Sequence, residues 1–345
     1  MPIGHKPRQW GIRLMLVLLA GPASVHATVT RYHSGSTIDA KPVLHGPAYN
    51  LGGGGPDVLE AIQWMIDQAR GPKPGAKVDV VVLRASQADG YNKGILALDG
   101  VNSVETLVIT SREDANAAEV EATVRRAEVV FFAGGNQCHY VTHFRGTKVE
   151  EAIKSVVARG GAVGGTSAGC AIMGGLVFDA CQLKPRSDFN SAQALADPYN
   201  PEISFTSGFF SWPPLHQVIT DTHFLPRDRM GRTLAFLARL NQDSPATQHL
   251  GVAVNERTSL IIDKTGLGRV LGEGPVFVVL ADHPPEVCQP GRPLTYRDFK
   301  IWRVEPGMSF NLVHRPEAGY YLRSVVRGEL DADPYRGNAS SSPRP

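Results

Sequence analysis

The chain has 345 residues, 42% of them hydrophobic and 20% charged, with a formal net charge of +2. That balance fits a globular protein of one or two domains with a full core, and it excludes a disordered tail or a repeat array. The basic excess sits at the N-terminus, so no surplus positive charge is left to attract nucleic acid.

In chain order, Lys6, Arg8 and Arg13 precede the apolar run Leu14 to Ala20, and Val25 and Ala27 have the small-residue spacing a signal peptidase accepts. The expectation is a signal peptide over residues 1–27, cleaved after Ala27, and a secreted or periplasmic location. Cleavage removes three basic and no acidic side chains, so the +2 chain becomes a mature protein of −1. The run is too short for a permanent anchor, and no later segment is apolar enough to span a bilayer. Cys138, Cys170, Cys181 and Cys288 would meet an oxidising compartment, with their pairing open and buried free thiols the competing reading.

Tyr49 to Leu51 reads as a strand, Gly52 to Gly55 as a glycine turn, and Asp57 to Arg70 as a helix with Pro56 near its first turn. The glycines lack a P-loop ending and the spacing of a dinucleotide fingerprint, which favours a structural turn. Val78 to Leu83 and Val104 to Thr110 are β-branched runs of the kind found in buried parallel strands. Ala115 to Arg126 reads as a helix, Val129 to Ala133 as a strand ending at Gly134-Gly135, and Val149 to Arg159 as a helix. A short strand from Ala162 then feeds Gly165-Thr166-Ser167-Ala168-Gly169. Met230 to Leu240 reads as a helix, Gly251 to Val254 and Ser259 to Asp263 as strands, and Lys300 to Val304 and Tyr320 to Val326 as β-like segments.

This alternation predicts an α/β fold: a doubly wound, mainly parallel sheet with helices on both faces, plus a short β-rich C-terminal extension. The expected organisation is a catalytic domain over 45–285, the extension over 286–330 and a flexible tail over 331–345, polar and rich in Ser and Pro. Asn338-Ala339-Ser340 in that tail fits a glycosylation sequon, read as incidental.

Gly-x-Ser-x-Gly after a strand reads as a nucleophile elbow, with the Ser167 hydroxyl exposed at the tip of a sharp turn. A serine needs a base, and His223 is the candidate because Ile219 to Phe224 is a β-like run ending in a turn. His139, His143, His216, His249, His283 and His314 compete. The orienting carboxylate is expected at Glu256, directly after the Gly251 to Val254 strand, with Asp221 as rival. The N–H groups of Ala168 and Gly135 are the expected oxyanion donors. Arg227, Arg229 and Arg232 follow the base closely and suggest an anionic substrate, with one or two of them expected to be structural. Cys138, His139 and His143 do not complete a recognisable zinc pattern, so no metal and no other cofactor is expected.

Four segments together resemble the cyanophycinase and aspartyl dipeptidase family of serine peptidases, which has a class I glutamine amidotransferase-like fold. They are Gly134-Gly135-Asn136-Gln137, Gly165 to Gly169, Asp221 to Phe224 with Arg227, Arg229, Gly231 and Arg232, and Gly251 to Glu256. The resemblance covers residues 45–285. It implies Ser167 as nucleophile, His223 as base, Glu256 as its carboxylate, and Gly135 with Ala168 as oxyanion donors. It also implies substrate binding around Asn136, Gln137, Asp221, Thr222, Arg227, Arg229 and Arg232. The implied reaction is hydrolysis of an amide bond next to aspartate through an acyl-enzyme, on a β-Asp-Arg polymer or a related aspartyl peptide. Asn136, Thr222 and Asn255 stand where cyanophycinases more often have Asp, Gln and Asp, which makes the hydrolase chemistry firmer than the polymer substrate.

The expected partner is a peptide or aspartyl-polymer substrate, with no nucleic acid and no membrane after signal cleavage; a homodimer is among the assemblies left open. Two other readings compete. An α/β-hydrolase esterase would take His283 or His314 as base with Asp263 or Asp282 as acid. A secreted binding protein would keep the fold without catalysis. A glutamine amidotransferase would need cysteine at position 167.

Overall fold

The computed structural model describes residues 1, 29–86, 88–184 and 188–337. The leader, apart from Met1, and the sequon at Asn338 lie outside the described residues. The first half runs β1 Thr30–Gly35, β2 Ala48–Gly52, α1 Leu59–Arg70, β3 Val78–Arg84, α2 Asn92–Leu96, β4 Val101–Val108, α3 Arg112–Ala115, α4 Ala118–Arg126, β5 Val129–Phe132, α5 Gln137–Phe144, α6 Lys148–Ala158, β6 Ala162–Thr166 and α7 Ala168–Ala171. The second half runs β7 Leu176–Phe178, α8 Ser191–Ala196, β8 Phe205–Ser207, β9 Val218–Asp221, α9 Met230–Asp243, β10 Leu250–Val254, β11 Thr258–Ile262, β12 Leu267–Gly272, β13 Val276–Leu280, β14 Tyr296–Val304, β15 Ser309–Asn311, β16 Tyr321–Val326 and β17 Glu329–Leu330.

The strands form two sheets, in the orders β1-β4-β3-β5-β6-β2-β11-β12-β15 and β17-β16-β14-β13-β10-β9-β7-β8. In the first, β4, β3, β5, β6 and β2 are mutually parallel, and β1 and β11 flank them antiparallel, with β12 and β15 continuing the antiparallel pairing beyond β11. These are the β-branched runs of the sequence, buried on both faces because helices cover both. The stripe Ile62, Met65, Ile66 and Ala69 of α1 packs with Val80, Val82, Val129 and Phe131 on one side. Val120, Val124, Ile153 and Val156 of α4 and α6 pack with Val81, Leu83, Val130 and Phe132 on the other.

The second sheet is parallel only at β7, β9 and β10. Strict alternation sorts its faces. Val252 and Val254 join the core shared with the first sheet, whereas Ala253 joins a separate core built with Leu234, Leu237 and Phe236 of α9. The C-terminal β segments are hydrogen-bonded into both sheets, β14 against β13 and β15 against β12. Neither local pattern nor spacing shows which sheet a strand joins.

Two local expectations change. The single helix over 115–126 is broken at Asn116-Ala117, because the Asn116 carboxamide donates to the Arg112 carbonyl at 2.8 Å and its oxygen accepts the Lys148 N–H at 3.1 Å. The flexible tail begins later than residue 331: Tyr321 donates to the Pro334 carbonyl at 2.7 Å and Arg323 to the Asp333 carbonyl at 2.8 Å, which docks residues 333–335 against β16.

Candidate active site

β6 ends at Thr166, and Ser167 takes φ 52° and ψ −117°, a conformation outside the helix and strand regions that throws its side chain off the end of the strand. Such a backbone is strained by on the order of 1–3 kcal/mol and persists only where its surroundings enforce it. The close approach of the next turn is what Gly169 permits: a Cβ there would lie 2.3 Å from the Phe132 carbonyl oxygen of β5.

His223 and Glu256 come from the second sheet. His223 follows β9 with φ 49°, and Glu256 sits in the crossover from β10 of the second sheet to β11 of the first. Ser167 Oγ lies 2.7 Å from His223 Nε2, and His223 Nδ1 lies 2.6 Å from Glu256 Oε1. The imidazole is 12% exposed and Glu256 35%. Thr220 on β9 donates to the Cys170 carbonyl at 2.9 Å, which fixes the strand bearing the base against the turn bearing the serine.

The glycine turn after β2 holds all three segments. The Ser167 N–H donates to the Gly52 carbonyl at 3.0 Å, the His223 N–H to Gly53 at 2.8 Å, and the Arg257 N–H, next to Glu256, to Gly54 at 2.9 Å. Gly54 has φ 98°, and a Cβ on it would fall 2.3 Å from the imidazole Cε1. The structural-turn reading of Gly52–Gly55 therefore understates it. Four glycines after a strand were visible in the sequence, but the segments that dock on their carbonyls are distant in the chain.

A cavity of about 110 Å³ opens beside Ser167, lined by Gly135, Gln137, Ala168, Phe178, Thr222 and the three arginines, among others. Asp221 also lines it, but its carboxylate is committed to the arginines. It accepts from Arg232 Nε at 2.7 Å, from Thr233 at 3.2 Å and from its neighbour's N–H at 2.8 Å, with Arg229 at 3.5 Å. Burial pushes this carboxyl up, and the two guanidinium groups outweigh it, leaving Asp221 below the usual carboxylate range and charged. Asp221 is thus the anchor of the arginine cluster and does not touch the imidazole. Arg229 also donates to Asp188 at 2.7 Å, and Arg227, 44% exposed, lies 3.6 Å from the same carboxylate. Nothing in the local sequence marks Asp188.

Asn136 is not among the residues lining this cavity; its Oδ1 caps α5, accepting the Cys138 N–H at 2.9 Å. Gln137 does reach the cavity, with Nε2 3.5 Å from the Phe178 carbonyl. Cys138 is bonded to Cys181, so its sulfur is not available as a thiolate ligand to the adjacent histidines. This disulfide joins the start of α5 to the loop after β7, the two walls that supply Gln137 and Phe178. Cys170 and Cys288 are buried free thiols.

His283, the base of the esterase reading, has both ring nitrogens 3.0 Å from backbone carbonyls, those of Pro284 and Arg297. Asp263 accepts from Thr265 and Leu267 within its own turn. A larger cavity of about 790 Å³ lies at the opposite, N-terminal ends of the parallel strands, among residues such as His45, Arg70, Lys77 and Lys264. In open α/β sheets, chemistry gathers at the carboxyl ends, where Ser167 sits.

Burial first, then Arg227 and Arg229, disfavours the His223 imidazolium more than the Glu256 carboxylate supports it, so its pKa lies below the ordinary histidine value. A base must be unprotonated to work. kcat/KM is therefore expected to rise with pH through a midpoint below about 6.5 and then level off. A midpoint above about 7 in the pH profile would contradict this assignment.

Residues 91–196 match the sequence profile of Peptidase family S51. The cyanophycinase of Nostoc sp. is 29% identical over 222 residues, covering 63% of this chain and 67% of that protein. The cyanophycinase of Geminocystis herdmanii is 25% identical over 228 residues, covering 64% and 76%. The crystal structure of a peptidase from an acI-B1 Actinobacterium superposes with a TM-score of 0.52 at 18% identity, covering 78% of this chain and 98% of that one, a likeness of fold.

Proposed function

We propose that this chain, which is similar to Peptidase family S51 over residues 91–196 and to cyanophycinases, is a serine-type peptidase that cleaves an amide bond at an aspartyl residue through an acyl-enzyme on Ser167. The observation that carries the reading is the cavity in which the Ser167–His223 pair faces three arginines. Three guanidinium groups share two carboxylates there, Asp188 and Asp221, which leaves one positive charge for a substrate carboxylate. Arg227, the most exposed of the three, is the one placed to meet it. The small cavity suits one aspartyl side chain at a chain end, in keeping with exopeptidase action on a β-aspartyl-arginine polymer or on aspartyl dipeptides.

In the reaction, His223 Nε2 takes the Ser167 proton as Oγ attacks the scissile carbonyl carbon. Glu256 accepts the Nδ1–H, which selects the tautomer with Nε2 free and stabilises the imidazolium that forms. The oxyanion receives the N–H groups of Ala168 and Gly135, both of which line the cavity. As the C–N bond breaks, the imidazolium gives its proton to the leaving amine. Water, deprotonated by the same imidazole, then releases the acid and restores Ser167. No metal or organic cofactor enters these steps.

We further propose that the leader is cleaved after Ala27 and that the enzyme works outside the cytoplasm. The Cys138–Cys181 disulfide supports this, since such bonds persist in oxidising compartments.

The test is a panel of β-aspartyl-arginine polymer, β- and α-aspartyl dipeptides, a neutral dipeptide and a simple ester. Turnover of aspartyl substrates at least tenfold above the neutral dipeptide is expected, about the selectivity one paired charge supplies. Turnover of the ester alone would favour the esterase reading, and no turnover with no covalent labelling would favour a binding protein.

A further inference from the structure

The segment after β17 reaches back to the loop that carries the base and the arginines. The Tyr335 hydroxyl accepts the Met230 N–H at 3.1 Å and donates to the Asp228 carboxylate at 2.8 Å, across more than a hundred residues of sequence. Its ring lies edge-on to Phe224 at 5.8 Å and to Phe277 of β13 at 5.6 Å. Phe224 directly follows His223; Asp228 separates Arg227 from Arg229, and Met230 opens the helix that carries Arg232.

The contacted loop has little regularity of its own. Asp228 has φ 47°, in the left-handed region that few non-glycine residues occupy. Met230 is the first residue of α9, and its N–H has no carbonyl acceptor within the helix. Tyr335 satisfies that donor and fixes the Asp228 side chain together. The strap is itself held, by Tyr321 donating to the Pro334 carbonyl and by Arg323 donating to the carbonyls of Asp333 and Arg336. Burial holds the hydroxyl well above the usual phenol range, so it remains a donor at every working pH.

We propose that Tyr335 is a positioning residue: the C-terminal strap pins the Asp228–Met230 corner and thereby sets the arginines that read the substrate carboxylate. This rests on the aspartyl-peptide reading of the cavity. The strap acts at the arginine end of the pocket, whereas Ser167, His223 and Glu256 are held by the glycine turn. It should therefore govern substrate binding more than the chemical step.

The test is Tyr335→Phe, which keeps the ring and removes only the hydroxyl, with Tyr335→Ala as the stronger variant. In Tyr335→Phe, KM for aspartyl substrates is expected to rise about tenfold, the size of a lost hydrogen bond to a charged group. kcat, the rate at which an uncharged fluorophosphonate labels Ser167, and the melting temperature should stay close to wild type. Hydrogen exchange at the Met230 amide should quicken about tenfold, since the Tyr335 oxygen that accepts it is gone. Tyr335→Ala should enlarge both the KM and the exchange effects. An unchanged KM on substrates that the wild-type chain cleaves overturns the proposal. So does a fall in kcat, labelling rate and melting temperature together with the KM change, which is the signature of general destabilisation. If the wild-type chain cleaves no aspartyl substrate, the reading of function fails separately. The exchange rate at Met230 in Tyr335→Phe then decides the strap: tenfold faster supports it, and the wild-type rate overturns it.

Discussion

Replacing Ser167 with alanine is expected to lower kcat on the order of a millionfold while leaving the fold intact, because the whole covalent route runs through one oxygen. His223→Ala should cost about as much, since removing either member of a unit that acts together disables it. Glu256→Ala should cost less, roughly 10⁴-fold, because the imidazole retains some capacity as a base without its orienting carboxylate. These effects should not add in a double variant. Ser167 is part-buried and its Oγ has the imidazole as its partner at 2.7 Å, so its loss removes no packing contact of note. Steady-state rates with melting curves of the three variants check this, and substantial activity in Ser167→Ala would remove the serine from the mechanism.

Gly54→Ala is expected to lower kcat/KM by about a thousandfold or more through the geometry of the base alone. A methyl carbon 2.3 Å from the imidazole Cε1 is far inside the ~3.5–4.0 Å of a carbon–carbon contact, so the ring or the turn must move by more than an ångström. Neither can move without cost. The ring is held between Ser167 Oγ and Glu256, and the Gly53 and Gly54 carbonyls on either side bind the N–H groups of His223 and Arg257. A φ of 98° adds backbone strain of on the order of 1–3 kcal/mol for a residue with a Cβ. The folded protein should survive, because the turn lies beyond the carboxyl end of β2 and the hydrophobic cores do not include it. Activity near wild type in a folded Gly54→Ala would mean that the imidazole does not occupy this position during turnover.

Much of this was legible in the chain because the signals are local. The apolar runs at Val78 and Val129 read as buried strands, and Gly-x-Ser-x-Gly after Ala162 announces its own turn. Likewise, a histidine and a glutamate each ending a β-like run were candidates for the same rim of the fold. What stayed hidden depends on contacts between distant segments. A second sheet cannot be inferred from strands that look alike one by one, and the distinction between Asp221 and Glu256 rests on which guanidinium groups Asp221 meets. Asn136 stands in a substrate-binding segment by resemblance, and its place ahead of α5 also makes it a cap. The residues around Tyr335 read as a polar tail because composition reports the average of a segment, while one aromatic ring with two hydrogen bonds is enough to dock it.

The central claim is that the hydroxyl of residue 167 becomes covalently attached to the acyl half of the substrate, with the imidazole of residue 223 as the group that deprotonates it. Trapping with a fluorophosphonate, followed by peptide mapping in a mass spectrometer, tests it directly. One adduct per chain on Ser167 is expected, forming faster as pH rises and disappearing in His223→Ala. An adduct on another residue, or continued peptide hydrolysis by a chain fully labelled at Ser167, would contradict it.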